Sequence, residues 1–309
     1  MTITGKNINE ILYDDYPNRK IYVEPIITSH TINMIYAPTG VGKTYLALHL
    51  AIALASGTKF LNYKTNHTPK VLYIDGEMGY QAISDRVKCI VAALKTPIAA
   101  GNLQFISFEE FKNNPNLSNL DQQPSFEEKF KPYDVVIVDN LDTTTYPTSI
   151  KDSDLQMWLR LRPWLLRLRS EGKCIILIHH ANAQGGMYGT TKISNSLDLG
   201  VALKPITFNY STSSDNRFRL DFFKGRFLKD EQKQSQWVEV FSENNTTTFT
   251  AEPWGAFLKT RISELGDMRV NDICEMLNIT KQQYMNIKYS KPDTYLDLEV
   301  DSDGEVIPF

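Results

Sequence analysis

Residues 31–57 read Thr-Ile-Asn-Met-Ile-Tyr-Ala-Pro-Thr-Gly-Val-Gly-Lys-Thr-Tyr-Leu-Ala-Leu-His-Leu-Ala-Ile-Ala-Leu-Ala-Ser-Gly, and the fold is decided here. The apolar run Ile32 to Tyr36 predicts a buried strand. The Ala/Leu-rich run Tyr45 to Ser56 predicts a helix stopped by Gly57. Between them, Ala37-Pro38-Thr39-Gly40-Val41-Gly42-Lys43-Thr44 has the spacing of a phosphate-binding P-loop, with alanine in place of its first glycine. Gly40 and Gly42 let backbone N–H groups close around a phosphate, and the helix N-terminus adds partial positive charge. Lys43 can reach the outer phosphates, and the Thr44 hydroxyl can hold Mg²⁺. A nucleoside triphosphate is therefore expected on Ala37, Pro38, Thr39, Gly40, Val41, Gly42, Lys43, Thr44 and Tyr45.

Working outward, two further strands carry acidic tips. Val71-Leu72-Tyr73-Ile74 runs into Asp75-Gly76-Glu77, and Val135-Val136-Ile137-Val138 runs into Asp139-Asn140. Open α/β sheets place ligands at the C-terminal ends of their strands, so both tips are candidates for the triphosphate edge. Glu77 there can orient or deprotonate an attacking water; its alternative is a solvated turn carboxylate. Asp139 has the Walker B pattern, whose carboxylate holds Mg²⁺ through its water shell. A fourth strand, Cys174 to Ile178, ends in His179-His180. One of these imidazoles can feel the γ-phosphate while the other serves as a hydrogen-bonded structural histidine.

The chain has 309 residues, enough for one large domain with a small appendage, and 42 % hydrophobic residues support a sizeable core. A net charge of −3 excludes a generally basic, DNA-coating surface but allows a local basic channel. Cys89, Cys174 and Cys274 lack metal-ligand spacing and read as reduced core thiols. No apolar stretch approaches the roughly 18 residues of a membrane span, and no signal peptide is evident, so the expected compartment is the cytoplasm with no membrane partner.

Several segments are expected to support the core. Ile21 to Ile27 reads as a short strand entering it, and Ser107 to Pro132 as a polar surface excursion. Asp152 to Ser170 reads as a helix kinked or split at Pro163, with Arg160, Arg162, Arg167 and Arg169 spread around it. The glycine-rich loop 183–192 either offers Tyr188 for base stacking and Lys192 for phosphate pairing to a single strand, or is an ordinary flexible loop. Leu197 to Leu203 and Arg217 to Phe223 read as strands, the latter running into Lys224-Gly225-Arg226. This pair can reach across a subunit interface to a neighbour's γ-phosphate, or can be exposed hairpin cations.

Taken in order, Ala-Pro-Thr-Gly-Val-Gly-Lys-Thr, Leu-Tyr-Ile-Asp-Gly-Glu-Met, Val-Ile-Val-Asp-Asn, Ile-His-His-Ala, Tyr-Gly-Thr-Thr and Phe-Lys-Gly-Arg resemble the motifs of RecA-like ATPases. The set most resembles RepA-type hexameric replicative helicases and related plasmid and phage AAA-type ATPases, over about residues 20 to 250. The resemblance implies an α/β fold, a RecA-like P-loop core with a mostly parallel sheet, and ATP with Mg²⁺ as cofactors. It implies Lys43 and Thr44 on phosphate and Mg²⁺, Glu77 as catalytic base and Asp139 for Mg²⁺. His179 would be the γ-phosphate sensor, with His180 the alternative, and Lys224 and Arg226 would act in trans. Family members are hexameric rings with single-stranded DNA in the channel, so a homo-oligomeric helicase is the expectation. A RecA-like regulator, loader or recombination accessory that unwinds nothing is the alternative, with a small-molecule kinase third.

Residues 1–250 are thus expected to form the ATPase domain and 251–309 a C-terminal segment. Within that segment, 268–288 is similar to a helix-turn-helix. Val270, Ile273 and Leu277 would pack one helix, Tyr284 and Ile287 the next, with Asn278 in the turn. Lys281, Gln282 and Lys288 would then face DNA, or the hairpin would contact protein. The acidic tail from Asp293 would repel DNA.

Overall fold

The computed structural model describes residues 5–14, 18–94, 96–112, 115–147, 153–182, 184–188, 191–206 and 216–289. The acidic tail from Asp293, Asn113 and Asn114 of the expected excursion, Asp152, and Ala183, Gly189 and Thr190 of the glycine-rich loop lie outside the described residues.

The elements run α1 (Ile8–Tyr13), β1 (Ile21–Glu24), β2 (Ile27–Thr28), β3 (Thr31–Ala37), α2 (Lys43–Ser56), β4 (Lys64–Thr65), β5 (Val71–Asp75) and α3 (Gly79–Ala92). Next come β6 (Leu103–Ser107), α4 (Gln123–Phe130), β7 (Val135–Asp139), α5 (Leu141–Thr144), α6 (Asp154–Ser170) and β8 (Cys174–His180). The remainder is α7 (Thr191–Ser196), β9 (Leu199–Pro205), β10 (Asn216–Gly225), β11 (Gln236–Glu243), β12 (Thr246–Pro253), α8 (Trp254–Glu264), α9 (Val270–Leu277) and α10 (Lys281–Tyr289).

The central sheet has nine strands in the order β12-β11-β10-β9-β3-β8-β7-β5-β6. From β9 to β6 all neighbours are parallel, and β10 to β12 continue the sheet as an antiparallel meander. The mostly parallel α/β architecture expected from the motifs is therefore present.

Why the inner strands read as unbroken apolar runs is visible in the pleat. Ile32 and Met34 enter one core cluster with Leu72, Ile74, Val136, Val138, Ile175 and Leu177, together with Trp158, Leu161, Trp164 and Leu165 of α6. Ile35 and Ala37 enter the other with Val71, Tyr73, Val135, Ile137, Ile176 and Ile178, under α2. Both faces are covered, so successive side chains must all be apolar. Helix α2 is buried on nearly every side, from Leu46 through Ala55, which is why it has no polar stripe.

Several expectations change. Ile21 to Ile27 enters the core as expected, with Tyr22, Val23, Ile26 and Ile27 buried in the cluster under α2, but as two strands, β1 and β2, of a separate three-stranded sheet with β4. Ser107 to Pro132 is not a polar excursion. Asn116, Leu117 and Ser118 are buried, and Phe126 and Phe130 of α4 stack near Trp164. The Asn116 side chain makes this possible by donating to Tyr146 O at 2.9 Å and accepting from Ser118 N at 2.9 Å, so local polar groups are paired inside the protein. Of the two forms expected for the helix at Pro163, the split is excluded, because α6 runs through Pro163 as one element. Pro163 has no N–H to donate to the carbonyl of Leu159 four residues back, and Leu159 lies on the outer side of the helix, 49 % exposed.

The C-terminal helices pack around their own cluster of Trp237, Phe257, Leu258, Ile262, Ile273, Leu277 and Tyr284. Trp237 of β11 stacks on Phe257 with ring centroids 4.0 Å apart, which docks this unit on the sheet. Asn278 caps α9 at φ 51°, ψ 51°, the left-handed conformation expected of the turn. Val270, expected in the hairpin core, is instead 39 % exposed.

Candidate active site

Parallel register assembles the site. Across β3 and β8, Ala37 stands opposite His180; across β5 and β7, Asp75 stands opposite Asp139. Four strands therefore end at one edge, and the P-loop crosses it into α2. Gly40 and Gly42 take φ values of 84° and 103°, which side-chain-bearing residues rarely adopt, so both glycines are required by the loop's path. The resulting pocket is lined by Thr39, Gly40, Gly42, Lys43, Thr44, Tyr45, Asp75, Glu77, Met78, Arg86, Asp139, Asn140 and His180.

Lys43 Nζ donates to Ala37 O and to Pro38 O, both at 2.9 Å, folding the side chain along the loop it serves. Burial pushes its pKa down, opposed by the nearby carboxylates of Asp139, Glu77 and Asp142. The ammonium thus waits among loop carbonyls and anions, where phosphate oxygens can replace the carbonyl partners.

Asp139 is 4 % exposed. Burial raises its pKa, while hydrogen bonds from the Tyr73 phenol and the Thr44 hydroxyl hold it down. The Thr44–Asp139 contact joins a hydroxyl and a carboxylate, two hard oxygen donors. Among the described residues no group of three or more His, Cys, Asp or Glu side chains could hold a metal ion. This donor set suits Mg²⁺, which keeps several waters and takes its remaining oxygens from phosphate.

Asp75 and Glu77 divide their work. The Asp75 carboxylate accepts from Met78 N–H at 3.1 Å, Gly79 N–H at 2.9 Å and the Ser107 hydroxyl at 3.2 Å, so it anchors the start of α3. Glu77 lines the pocket and accepts from Asn140 Nδ2 at 2.7 Å.

The two histidines separate by pleat parity. His180 shares the face of Ile176 and Ile178, the α2 side, and lines the pocket. His179 shares the face of Leu177 and is 2 % exposed. Its Nε2 lies 3.0 Å from Tyr188 O and its Nδ1 3.5 Å from Asp142 Oδ1. Burial pushes its pKa down. The structure thus brings His180, one position from the expected sensor, to the pocket.

Lys224 and Arg226 are not in this pocket. Because β10 runs antiparallel, its end pairs Gly225 with Leu199 at the opposite edge of the sheet. The Lys224 ammonium donates to Ser194 O. Arg226 Nη1 lies 3.1 Å from Asp198 Oδ1, and Asp198 Oδ2 accepts from Ile32 N–H at 2.9 Å. From Ile32 to Ala37 the strand rises about 17 Å at its usual ~3.3 Å per residue, beyond the reach of an arginine side chain. Tyr188 is exposed and Lys192 stands on α7. Lys281, Gln282 and Lys288 stand on α10, with Lys288 Nζ donating to Tyr284 OH at 2.8 Å. None of these five lines the pocket.

Arg86 was absent from the sequence candidates. Its guanidinium carbon lies 4.8 Å from the Tyr45 ring centroid, beside the P-loop. The signal was its phase: it sits three residues after buried Ile83 and four before buried Ile90, a charge within the apolar stripe of α3. In the sequence Asn140 is only the residue after the Walker B aspartate; its contact with Glu77 joins positions 63 residues apart.

A family model described as an AAA domain (AAA_25) matches residues 10–186, more than half of the chain. Among solved structures, the flagellar accessory protein FlaH from Methanocaldococcus jannaschii superposes with a TM-score of 0.52 at 14 % identity, covering 74 % of this chain and 91 % of that one. The KaiC-like protein PH0186 from Pyrococcus horikoshii OT3 gives a TM-score of 0.52 at 13 % identity, covering 75 % of this chain and 94 % of that one. No curated protein sequence matches the chain. At these identities the structural likeness speaks for the fold alone.

Proposed function

Since the chain belongs to the AAA domain family and has the fold of a RecA-like P-loop ATPase, we propose that it hydrolyses ATP at this pocket and couples turnover to single-stranded DNA, as a RepA-type replicative helicase would. The observation that carries the reading is the convergence of Lys43, Thr44, Glu77, Asp139 and His180 around one P-loop. Lys43 exchanges its loop carbonyls for phosphate oxygens. Thr44 and Asp139 would hold Mg²⁺, which supplies neutralisation of phosphate charge when bound. Glu77 orients a water and accepts its proton as the water oxygen attacks the γ-phosphorus and the bond to the β-phosphate oxygen breaks. His180 stands where loss of the γ-phosphate can be felt.

Two features support an oligomer acting on DNA. Arg226 and Lys224 cannot serve the pocket of their own subunit, so a catalytic role requires the pocket of a neighbour in a ring, hexameric by the resemblance. The loop 184–188 is tied to the strand tip by Tyr188 N–H, which donates to the carbonyl of the pocket residue His180 at 3.0 Å, a route from the site to Tyr188. In this reading residues 1–250 are the ATPase domain, and 251–309 carry the hairpin with Lys281, Gln282 and Lys288 available to DNA. The formed α9–α10 hairpin favours a second reading, a DNA-binding regulator or loader with the same ATPase site and no unwinding. The test is phosphate release with and without single-stranded DNA, with Lys43→Ala as blank, followed by strand separation on a fork. DNA-stimulated turnover with unwinding supports the helicase, stimulation without unwinding supports the regulator, and turnover indifferent to DNA defeats both.

A further inference from the structure

Asn140 is 2 % exposed and both ends of its amide are engaged. Its Oδ1 accepts from Thr143 N–H at 3.0 Å as the N-cap of α5, and its Nδ2 donates to Glu77 Oε2 at 2.7 Å. The amide orientation follows from chemistry: a backbone N–H needs an acceptor and a carboxylate needs a donor, and only one placement of O and N satisfies both. The backbone beneath is tied as well. Gly76 N–H donates to Asp139 O at 2.9 Å, so Glu77 and Asn140 each follow directly on a residue of the same hydrogen bond between β5 and β7. Gly76 also lets α5 approach: a Cβ on it would lie 2.5 Å from Thr143 Oγ1.

We propose that Asn140 is the positioning residue for Glu77, holding one carboxylate oxygen with an amide fixed by the α5 cap so that the other oxygen meets the attacking water. The inference rests on the reading of Glu77 as catalytic base. A neutral donor suits this task because it orders the carboxylate without supplying a competing positive charge. The cap prevents the amide from rotating, so the restraint on Glu77 is as stiff as the start of α5.

Asn140→Ser in the full chain tests this, because a serine hydroxyl still caps α5 but is too short to reach Glu77. The expected result is a kcat lower by about 10- to 100-fold, the scale of a misplaced catalytic group, with KM and the affinity for a fluorescent ATP analogue within twofold of wild type. Asn140→Asp, which keeps the capping oxygen and removes the donor, should show the same split. Neither change should lower turnover further in a Glu77→Gln background. A kcat within twofold of wild type in both variants, or a KM that rises as kcat falls, overturns the proposal. Glu77→Gln alone separates the failures: if it keeps wild-type turnover, the assignment of the base has failed and the proposal with it. If Glu77→Gln is inactive while the Asn140 variants remain active, only the positioning role has failed.

Discussion

Arg226→Ala distinguishes a guanidinium that works on a neighbour from one that holds its own fold. Arg226 lies 3.1 Å from Asp198, whose side chain is 2 % exposed, while its own is 45 % exposed. Truncating it does not orphan the buried carboxylate. Arg169 Nη1 remains 3.2 Å from Oδ2, and the Ile32 N–H still donates to the same oxygen. A partly solvated pair of this kind contributes about 0.5–1 kcal/mol. At the ~2–4 °C per kcal/mol usual for larger domains, Tm should fall by about 1–4 °C. An arginine finger is worth about 10³–10⁵ in turnover, so the two roles differ on the scale of the assay. The expected outcome is near-wild-type binding of nucleotide, a small change in Tm and turnover reduced at least a thousandfold (about 10³). Mixing this variant with Lys43→Ala subunits should restore part of the rate, because some interfaces then combine an intact P-loop with an intact Arg226. Turnover within tenfold of wild type (about 10) would refute catalysis by this residue, since a finger is worth far more. A loss of binding that parallels the loss of turnover would assign Arg226 to the fold, and failure of stable mixed assemblies to recover would refute action in trans.

Three further outcomes follow from the same geometry. Lys43→Ala should abolish tight ATP binding with little change in Tm, because the ammonium donates to carbonyls of its own loop, Ala37 O and Pro38 O; titration with a fluorescent ATP analogue checks it. Trp237→Ala should cost about 3–5 kcal/mol by the usual scale for buried tryptophan, and should expose 254–289 to limited proteolysis, since Trp237 joins the C-terminal helices to β11. Burial drives the His49 imidazole from 6.5 to about 4. Between those values the unfolded chain takes up a proton that the fold excludes, so stability falls as pH falls, by up to about 1.4 kcal/mol per pH unit. His49→Gln should flatten that part of the dependence, read by urea unfolding at about pH 7 and about pH 5; an unchanged slope would show that His49 does not contribute to it.

The P-loop, both acidic strand tips and the parallel core were legible in the sequence because each is written in a few consecutive residues. Glycine at 40 and 42 is demanded by local backbone torsions, and unbroken apolar runs are demanded wherever both faces of a strand are covered. Those constraints act over one turn or one strand, so the chain states them directly. Where side chains from distant elements meet was decided only in three dimensions. His179 and His180 are equivalent as adjacent histidines at a strand end, and it is the packing of α2 on the face of Ile176 and Ile178 that gives the pocket to His180. The segment 107–132 has a polar composition, yet Phe126 and Phe130 find Trp164 only once α6 is in place. Asn140 reads as a turn residue until the register of β5 against β7 sets it beside Glu77, 63 positions away in the chain. Arg226 reads as a free cation at a strand end, whereas the antiparallel run of β10 carries it to the far edge of the sheet and onto Asp198. Pleat parity, strand direction and register are properties of pairing between segments, and no single segment contains them.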